Sequence, residues 1–198
     1  TEQKMDKRAL FLLAFGVLMI GANLRAPLTA VGSLIPNIQN DLLLTSTMAG
    51  ALTTIPLLAF ALFSPFAPRL AEWVGMEKII FYSMIALLIG VIIRSFPSTL
   101  FLFSGTILIG LAIAIGNVLI PAFIKLKFPY KIGLMTGLYA VFMNVAGALA
   151  SGLSVPLATN NAYGWAGALA AWSVILFISI LLWFPQLRTN ETIQAKPT

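Results

Sequence analysis

Six long apolar stretches constrain this chain more than any other feature. They run at about 9–35, 46–67, 78–95, 99–124, 132–157 and 164–185, and an α-helix needs roughly 20 apolar residues to cross a hydrocarbon layer. Inside lipid no water satisfies backbone N–H and C=O groups, so a single run of this length must satisfy them within itself, as a helix. The expectation is an all-α membrane protein: a bundle of six transmembrane helices over residues 1–185, followed by a polar tail or linker at 186–198. The runs are separated by Pro36 to Asp41, Pro68 to Glu77, Pro97-Ser98, Phe128 to Lys131 and Thr159 to Asn161.

Composition supports this. Hydrophobic residues make up 60% of the chain and charged residues 9%, against about 25% charged in a soluble domain. Mean hydropathy is +0.98. Lys4, Lys7 and Arg8 resemble the basic start of a secretory signal, but the apolar run behind them is too long and lacks a small-residue cleavage site. The net charge of +6 is explained by topology rather than by nucleic acid. Ten of the twelve Lys and Arg residues fall on one side if the N-terminus is cytoplasmic, and Arg94 alone falls outside. By the positive-inside rule this puts both termini in the cytoplasm of a multi-pass protein of the plasma or inner membrane.

Catalysis has few candidates. There is no Cys and no His, and the six acids, Glu2, Asp6, Asp41, Glu72, Glu77 and Glu191, all fall in tails or between runs. No thiolate, imidazole base or metal set can be built from these, and no glycine loop for a phosphate occurs. An enzyme, a metal site and a cofactor are therefore not expected.

Arg25 is the exception to an otherwise uncharged interior. A charge at bilayer depth costs at least ~2.5–3.5 kcal/mol, so it ordinarily faces a protein interior or a water-filled path. About ten residues separate Arg25 from Pro36, roughly 15 Å of helix, a long reach for snorkelling to the interface. At helical spacing Arg25 shares a face with Gly21, Thr29, Gly32 and Pro36, flanked by Asn23 and Ser33. Similar stripes run through the second span (Gly50, Thr53, Thr54, Pro56, Ser64), the fourth (Thr106, Gly110, Asn117, Pro121) and the fifth (Gly133, Gly137, Ala140, Asn144, Gly147, Ser151, with Tyr139 beside them). Small residues let helices approach closely and polar ones turn inward. Spans one, two, four and five are accordingly expected inside, with the nearly featureless spans three and six outside them.

The segment Ile20-Gly-Ala-Asn-Leu-Arg-Ala-Pro27 resembles Ile115-Gly-Asn-Val-Leu-Ile-Pro121 with a one-residue offset. The two lie at similar depths in spans that run in opposite directions. Two three-helix units of inverted topology produce this pattern, and their Gly/Pro-interrupted segments mark the site.

A three-plus-three inverted repeat with both termini inside resembles one half of a major facilitator superfamily transporter. Asn23-Leu-Arg-Ala-Pro-Leu-Thr-Ala-Val-Gly32 is similar to the first-helix signature of the cyanate and 2-nitroimidazole transporter branch. Gly116-Asn-Val-Leu-Ile-Pro-Ala-Phe-Ile-Lys125, Phe128-Pro129 and Met135-Thr-Gly-Leu-Tyr139 resemble the fourth and fifth helices of that branch. The loop motif between helices two and three is only weakly present. Glu72 stands at the usual Asp and Gly75 is kept, while Trp73, Met76 and Glu77 replace basic residues. Thr106 occupies a position where many members carry Arg.

The resemblance implies the N-terminal six-helix half of a secondary transporter working by alternating access. Its solute is expected to be a small anion or small polar organic molecule, such as cyanate or a nitroimidazole-like compound. The solute would bind near Arg25, with Asn23, Thr29, Asn117, Tyr139 and Asn144 as hydrogen-bonding neighbours and Glu72 and Gly75 in a gating loop. Its partners would be the lipid bilayer and either a C-terminal six-helix half or a second copy of the chain. The alternatives are a six-helix channel and a non-transporting membrane assembly partner.

Overall fold

The computed structural model describes residues 7–96, 98–160 and 164–184; the tail expected at 186–198 lies outside them. The described residues form α1 (Lys7–Asn23), α2 (Ala26–Leu42), α3 (Ser46–Phe63), a 3-10 turn (Ser64–Phe66), α4 (Ala67–Val74), α5 (Met76–Arg94), α6 (Thr99–Lys127), α7 (Ile132–Thr159), α8 (Trp165–Ala171) and α9 (Ser173–Trp183). They group into six stretches long and apolar enough to cross a membrane: Leu10–Leu42, Ser46–Val74, Met76–Arg94, Thr99–Lys127, Ile132–Thr159 and Trp165–Trp183.

Local chemistry sets the element ends. Thr45 caps α3, its hydroxyl accepting from the Met48 N–H at 3.2 Å. Between α4 and α5 the chain turns at Gly75 with φ 102°, a backbone conformation that glycine adopts without a Cβ penalty. The first span extends further than its Pro36 suggests, since Pro36 lies inside α2. Buried Leu34 and Ile38 on either side of it hold that helix against the bundle.

The packing follows the internal repeat. α1 and α2 lie along α7, and α3 lies along α6, so the first span pairs with the fifth as the fourth pairs with the second. α5 packs along α6, and α9 packs on α1, which relates the third and fourth spans to the sixth and first. Leu24 of the first repeat motif sits on Gly116 of the second, where an added Cβ would come within 2.5 Å of Leu24 Cδ2. The larger core gathers Leu13, Val17, Ile20, Met84, Leu87, Ile113, Ile120, Phe123 and Trp183. A smaller one gathers Ala30, Leu34, Ile38, Leu52, Trp165 and Leu169.

Two expectations are corrected. Within this six-helix chain taken alone, spans three and six do not lie outside the others: 50% and 44% of their apolar stretches are buried, against 22% and 17% for spans two and five. Apolar helices pack on protein as readily as they meet lipid tails, so a lack of polar residues does not place a helix at the periphery. Conversely, Gly50, Gly133, Gly137 and Gly152 have nothing within 4 Å of an added Cβ. The small-residue faces of α3 and α7 are thus open within this chain. The second correction is Arg94, expected in an outside loop. It forms the last turn of α5 and is 1% exposed.

Candidate solute-binding cavity

The first span breaks where Arg25 sits. Pro27 has no N–H to offer the Asn23 carbonyl, and its ring disfavours helical geometry in the residue before it. The chain responds at Leu24–Arg25. The Leu24 N–H is shared between the Ile20 and Gly21 carbonyls (3.1 and 3.2 Å), and that of Arg25 reaches only the Ala22 carbonyl at 3.5 Å. Arg25 takes φ −119°, ψ −34° and begins α2. Its carbonyl accepts from the Leu28 and Thr29 N–H groups at 3.1 and 3.2 Å. Irregular backbone at membrane depth persists only where protein buries it or where it lines a cavity.

Here it lines a cavity. An open-sided space of about 350 Å³ is lined by Leu24, Arg25, Leu28, Thr29 and Val31 from the break, Leu52, Thr53, Pro56 and Leu57 from α3, Arg94 from α5, Thr106 and Asn117 from α6, and Met143 from α7. Two close approaches shape it. Gly110 admits α3 so tightly that a Cβ would lie 2.9 Å from Pro56 Cα, and at Gly147 a Cβ would lie 3.3 Å from Arg25 Cγ and Cδ. The Arg25 side chain therefore lies across the bare backbone of α7.

The hydrogen-bonding character of the wall is uneven. Thr53 donates to the Gly50 carbonyl at 2.9 Å, Thr106 to Leu102 at 2.7 Å, and Thr29 to Arg25 and Ala26 at 3.3 Å each. These hydroxyl protons are committed to their own helices. Arg25 forms no ion pair or side-chain hydrogen bond with a described residue, and neither does Asn117 (half-buried). Arg94 donates through Nη1 to the Pro27 carbonyl at 2.9 Å, just past the break. Its Nε and Nη2 are buried without an acceptor among the described residues. The described acids are Asp41, Glu72 and Glu77, and none lines the cavity. Arg25 and Asn117 thus leave unspent donors and positive charge in the cavity, with no carboxylate in its wall to cancel them, and the free edge of Arg94 lies buried in that wall.

Of the residues expected around a solute, the fold brings Arg25, Thr29 and Asn117 together here. Asn23 points elsewhere: its Nδ2 donates to the Met19 carbonyl at 2.9 Å and to the Ser179 hydroxyl, stapling α1 to α9. Tyr139 is 7% exposed and packs over Gly21, with no acceptor for its hydroxyl among the described residues. Asn144 lies on the exposed face of α7. Sequence reasoning did not select Arg94, Thr53 and Thr106 for the site. The last two stood in the polar stripes, but Arg94 looked like an ordinary interfacial charge at the end of its span.

The sequence profile of the Major Facilitator Superfamily matches residues 9–197. The chain belongs to this superfamily. Among curated proteins it is 47% identical over 182 residues to the transporter YycB of Bacillus subtilis, covering 92% of this chain and 45% of that protein. It is 43% identical over 185 residues to the 2-nitroimidazole transporter of Escherichia coli (93% and 47%). It is 25% identical over 168 residues to the cyanate transport protein CynX of Escherichia coli (84% and 44%). The chain spans about half the length of these relatives, all of which are named as transporters and none as an enzyme. Its six spanning helices in two inverted sets of three fit one half of the superfamily fold.

The loop that resembles the superfamily's motif differs in where its charges go. Glu72 is exposed on α4 and Gly75 makes the turn into α5. Glu77, two residues on, is fully buried and ion-paired with Lys127 of α6 at 3.5 Å. The Trp183 indole donates to its backbone carbonyl at 3.1 Å, which joins α5, α6 and α9 at this end of the bundle.

Proposed function

We propose that this chain is the N-terminal six-helix half of a secondary transporter for a small anion or small polar organic solute, of the cyanate or nitroimidazole-like kind. The solute binds in the cavity at Arg25, with Thr29 and Asn117 beside it. The observation that carries this reading is Arg25 itself. It is a guanidinium exposed to a cavity at a helix break inside a membrane span, with no carboxylate in the wall. Half-helix ends and interrupted backbone near the midplane are where transporters of this architecture hold their solutes. The names of the two Escherichia coli relatives support the solute class.

Both termini lie in the cytoplasm, as the distribution of Lys and Arg favours. The open small-residue faces of α3 and α7 receive a second six-helix bundle, either a C-terminal half or another copy. Transport proceeds as the two bundles rock about the solute, exposing the cavity alternately to each side. In proteoliposomes, Arg25→Ala is expected to abolish saturable uptake of 2-nitroimidazole or cyanate while the protein still inserts. Unchanged uptake kinetics in that variant would refute the proposal. Uptake that never saturates would favour a channel instead.

A further inference from the structure

Arg94 extends that reading of the cavity. Its Nη1 is anchored on the Pro27 carbonyl at 2.9 Å, which fixes the plane of the guanidinium. The two nitrogens left without an acceptor among the described residues are Nε and Nη2. These are not an arbitrary pair. The N–H of Nε and one N–H of Nη2 project side by side from one edge of the guanidinium, the fork that meets two oxygens of a carboxylate-like group in parallel. The residue is 1% exposed and lines the same cavity as Arg25. The nearest charge compensation along its helix, Glu77, lies in the first turn of α5, opposite Arg94 in the last, and is occupied by Lys127. A guanidinium held in this way, with its bidentate edge unspent, is costly unless something else completes it.

We infer that the solute completes it, and that Arg94 is the group which selects for a planar two-oxygen function, a carboxylate or a nitro group, over a linear anion. This rests on the proposed solute site at Arg25. A planar O–X–O group spans the Nε and Nη2 donors and makes two parallel hydrogen bonds, with Arg25 and Asn117 left to hold the rest of the molecule. A linear anion such as cyanate presents one terminal atom at a time and leaves one donor of the fork unmet. The fork is closed from bulk water, so the solute reaches it as the wall relaxes around the break at Leu24–Arg25, just ahead of the Pro27 carbonyl to which Arg94 is tied. Solute binding and movement of that break are thereby linked.

The test is calorimetric binding to the purified full-length protein with three probes: 2-nitroimidazole, imidazole-2-carboxylate and cyanate. Both planar probes are expected to bind at least about tenfold more tightly than cyanate, the order of gain from a second charge-assisted hydrogen bond. Comparable affinity for cyanate, or no binding of either planar probe, overturns the inference. A planar preference shown by only one of the two tells which source of the group is natural. Arg94→Lys keeps the charge and loses the fork. In it the preference should collapse to about twofold or less, mainly by weakening the planar probes. If that variant retains the preference, Arg94 is not the selector; if it does not fold, the ranking in the unaltered protein decides. Loss of uptake in Arg25→Ala with an unchanged ranking in Arg94→Lys removes the role of Arg94 alone. Unchanged uptake in Arg25→Ala removes the site, and this inference with it.

Discussion

At the crossing of α5 and α6 two backbones meet with no room for a Cβ, which makes it the clearest place to perturb. Gly90 and Gly105 face one another there, with no side chain between the two backbones. A Cβ at Gly105 would lie 2.6 Å from both the Arg94 nitrogen and the Gly90 carbonyl oxygen, and 2.8 Å from Arg94 Cβ. Ordinary contact begins near 3.4 Å, so Gly105→Ala requires the helices to part by about 0.8 Å. Two of the three obstructing atoms are backbone and cannot rotate away. Overpacking of this kind costs up to ~3 kcal/mol, and the helical preference of Ala over Gly returns about 1 kcal/mol. The net expectation is a loss of about 2 kcal/mol.

Gly16→Ala is the matched control. Its Cβ would meet Trp183 Cε3 at 3.6 Å, in ordinary contact, so it should gain about 1 kcal/mol. The two variants should then differ by about 3 kcal/mol. Detergent-to-SDS unfolding followed by tryptophan emission reads this difference. Trp183 is buried against Phe123 with ring centroids 5.1 Å apart, so its environment reports the integrity of the α6–α9 contact. Arg94 belongs to the same crossing, so Gly105→Ala should also weaken solute binding. If Gly105→Ala proves as stable as Gly16→Ala, the reasoning from backbone contact at this crossing fails.

Three other substitutions test the placements described above. Asn23→Ala removes the bond to Ser179 and should cost about 1 kcal/mol in the same unfolding assay, while leaving solute affinity unchanged; a large affinity loss would put Asn23 back at the solute. Tyr139→Phe deletes a buried hydroxyl that has no acceptor among the described residues, so stability should hold or rise by up to ~1 kcal/mol. A marked loss on unfolding would reveal a partner for that hydroxyl. Lys127→Met should destabilise by a few kcal/mol because it removes the cation paired with buried Glu77, and adding Glu77→Gln should recover most of that loss. If the second change recovers nothing, the pair is not what holds α5 to α6 at that end.

Much of this protein was legible in its sequence because lipid imposes a simple rule. Every spanning backbone group must be bonded within its own segment, so apolar run length alone implies six helices. The weak echo between Ile20–Pro27 and Ile115–Pro121 corresponds to a real meeting place, since Leu24 packs on Gly116. Arg25 stood out for the same reason, being a charge where the medium tolerates almost none. Pro27 beside it explains why the helix breaks at that point.

Tertiary structure alone decided which polar groups share the cavity. Asn23 and Arg25 are two residues apart, but the break between them sends one to Ser179 and the other into the cavity. Tyr139 and Asn144 lie on one helix, yet one is buried over Gly21 and the other is exposed. Arg94 carries no sequence mark to separate it from an interfacial arginine that snorkels to water. It becomes a cavity residue because Gly90 and Gly105 draw α5 onto α6 and turn its last residue inward to Pro27. Periodicity assigns a residue to a face of its helix. Which neighbour covers that face depends on crossing points between segments far apart in the chain, and these are set by backbone contacts that no single stretch of sequence contains.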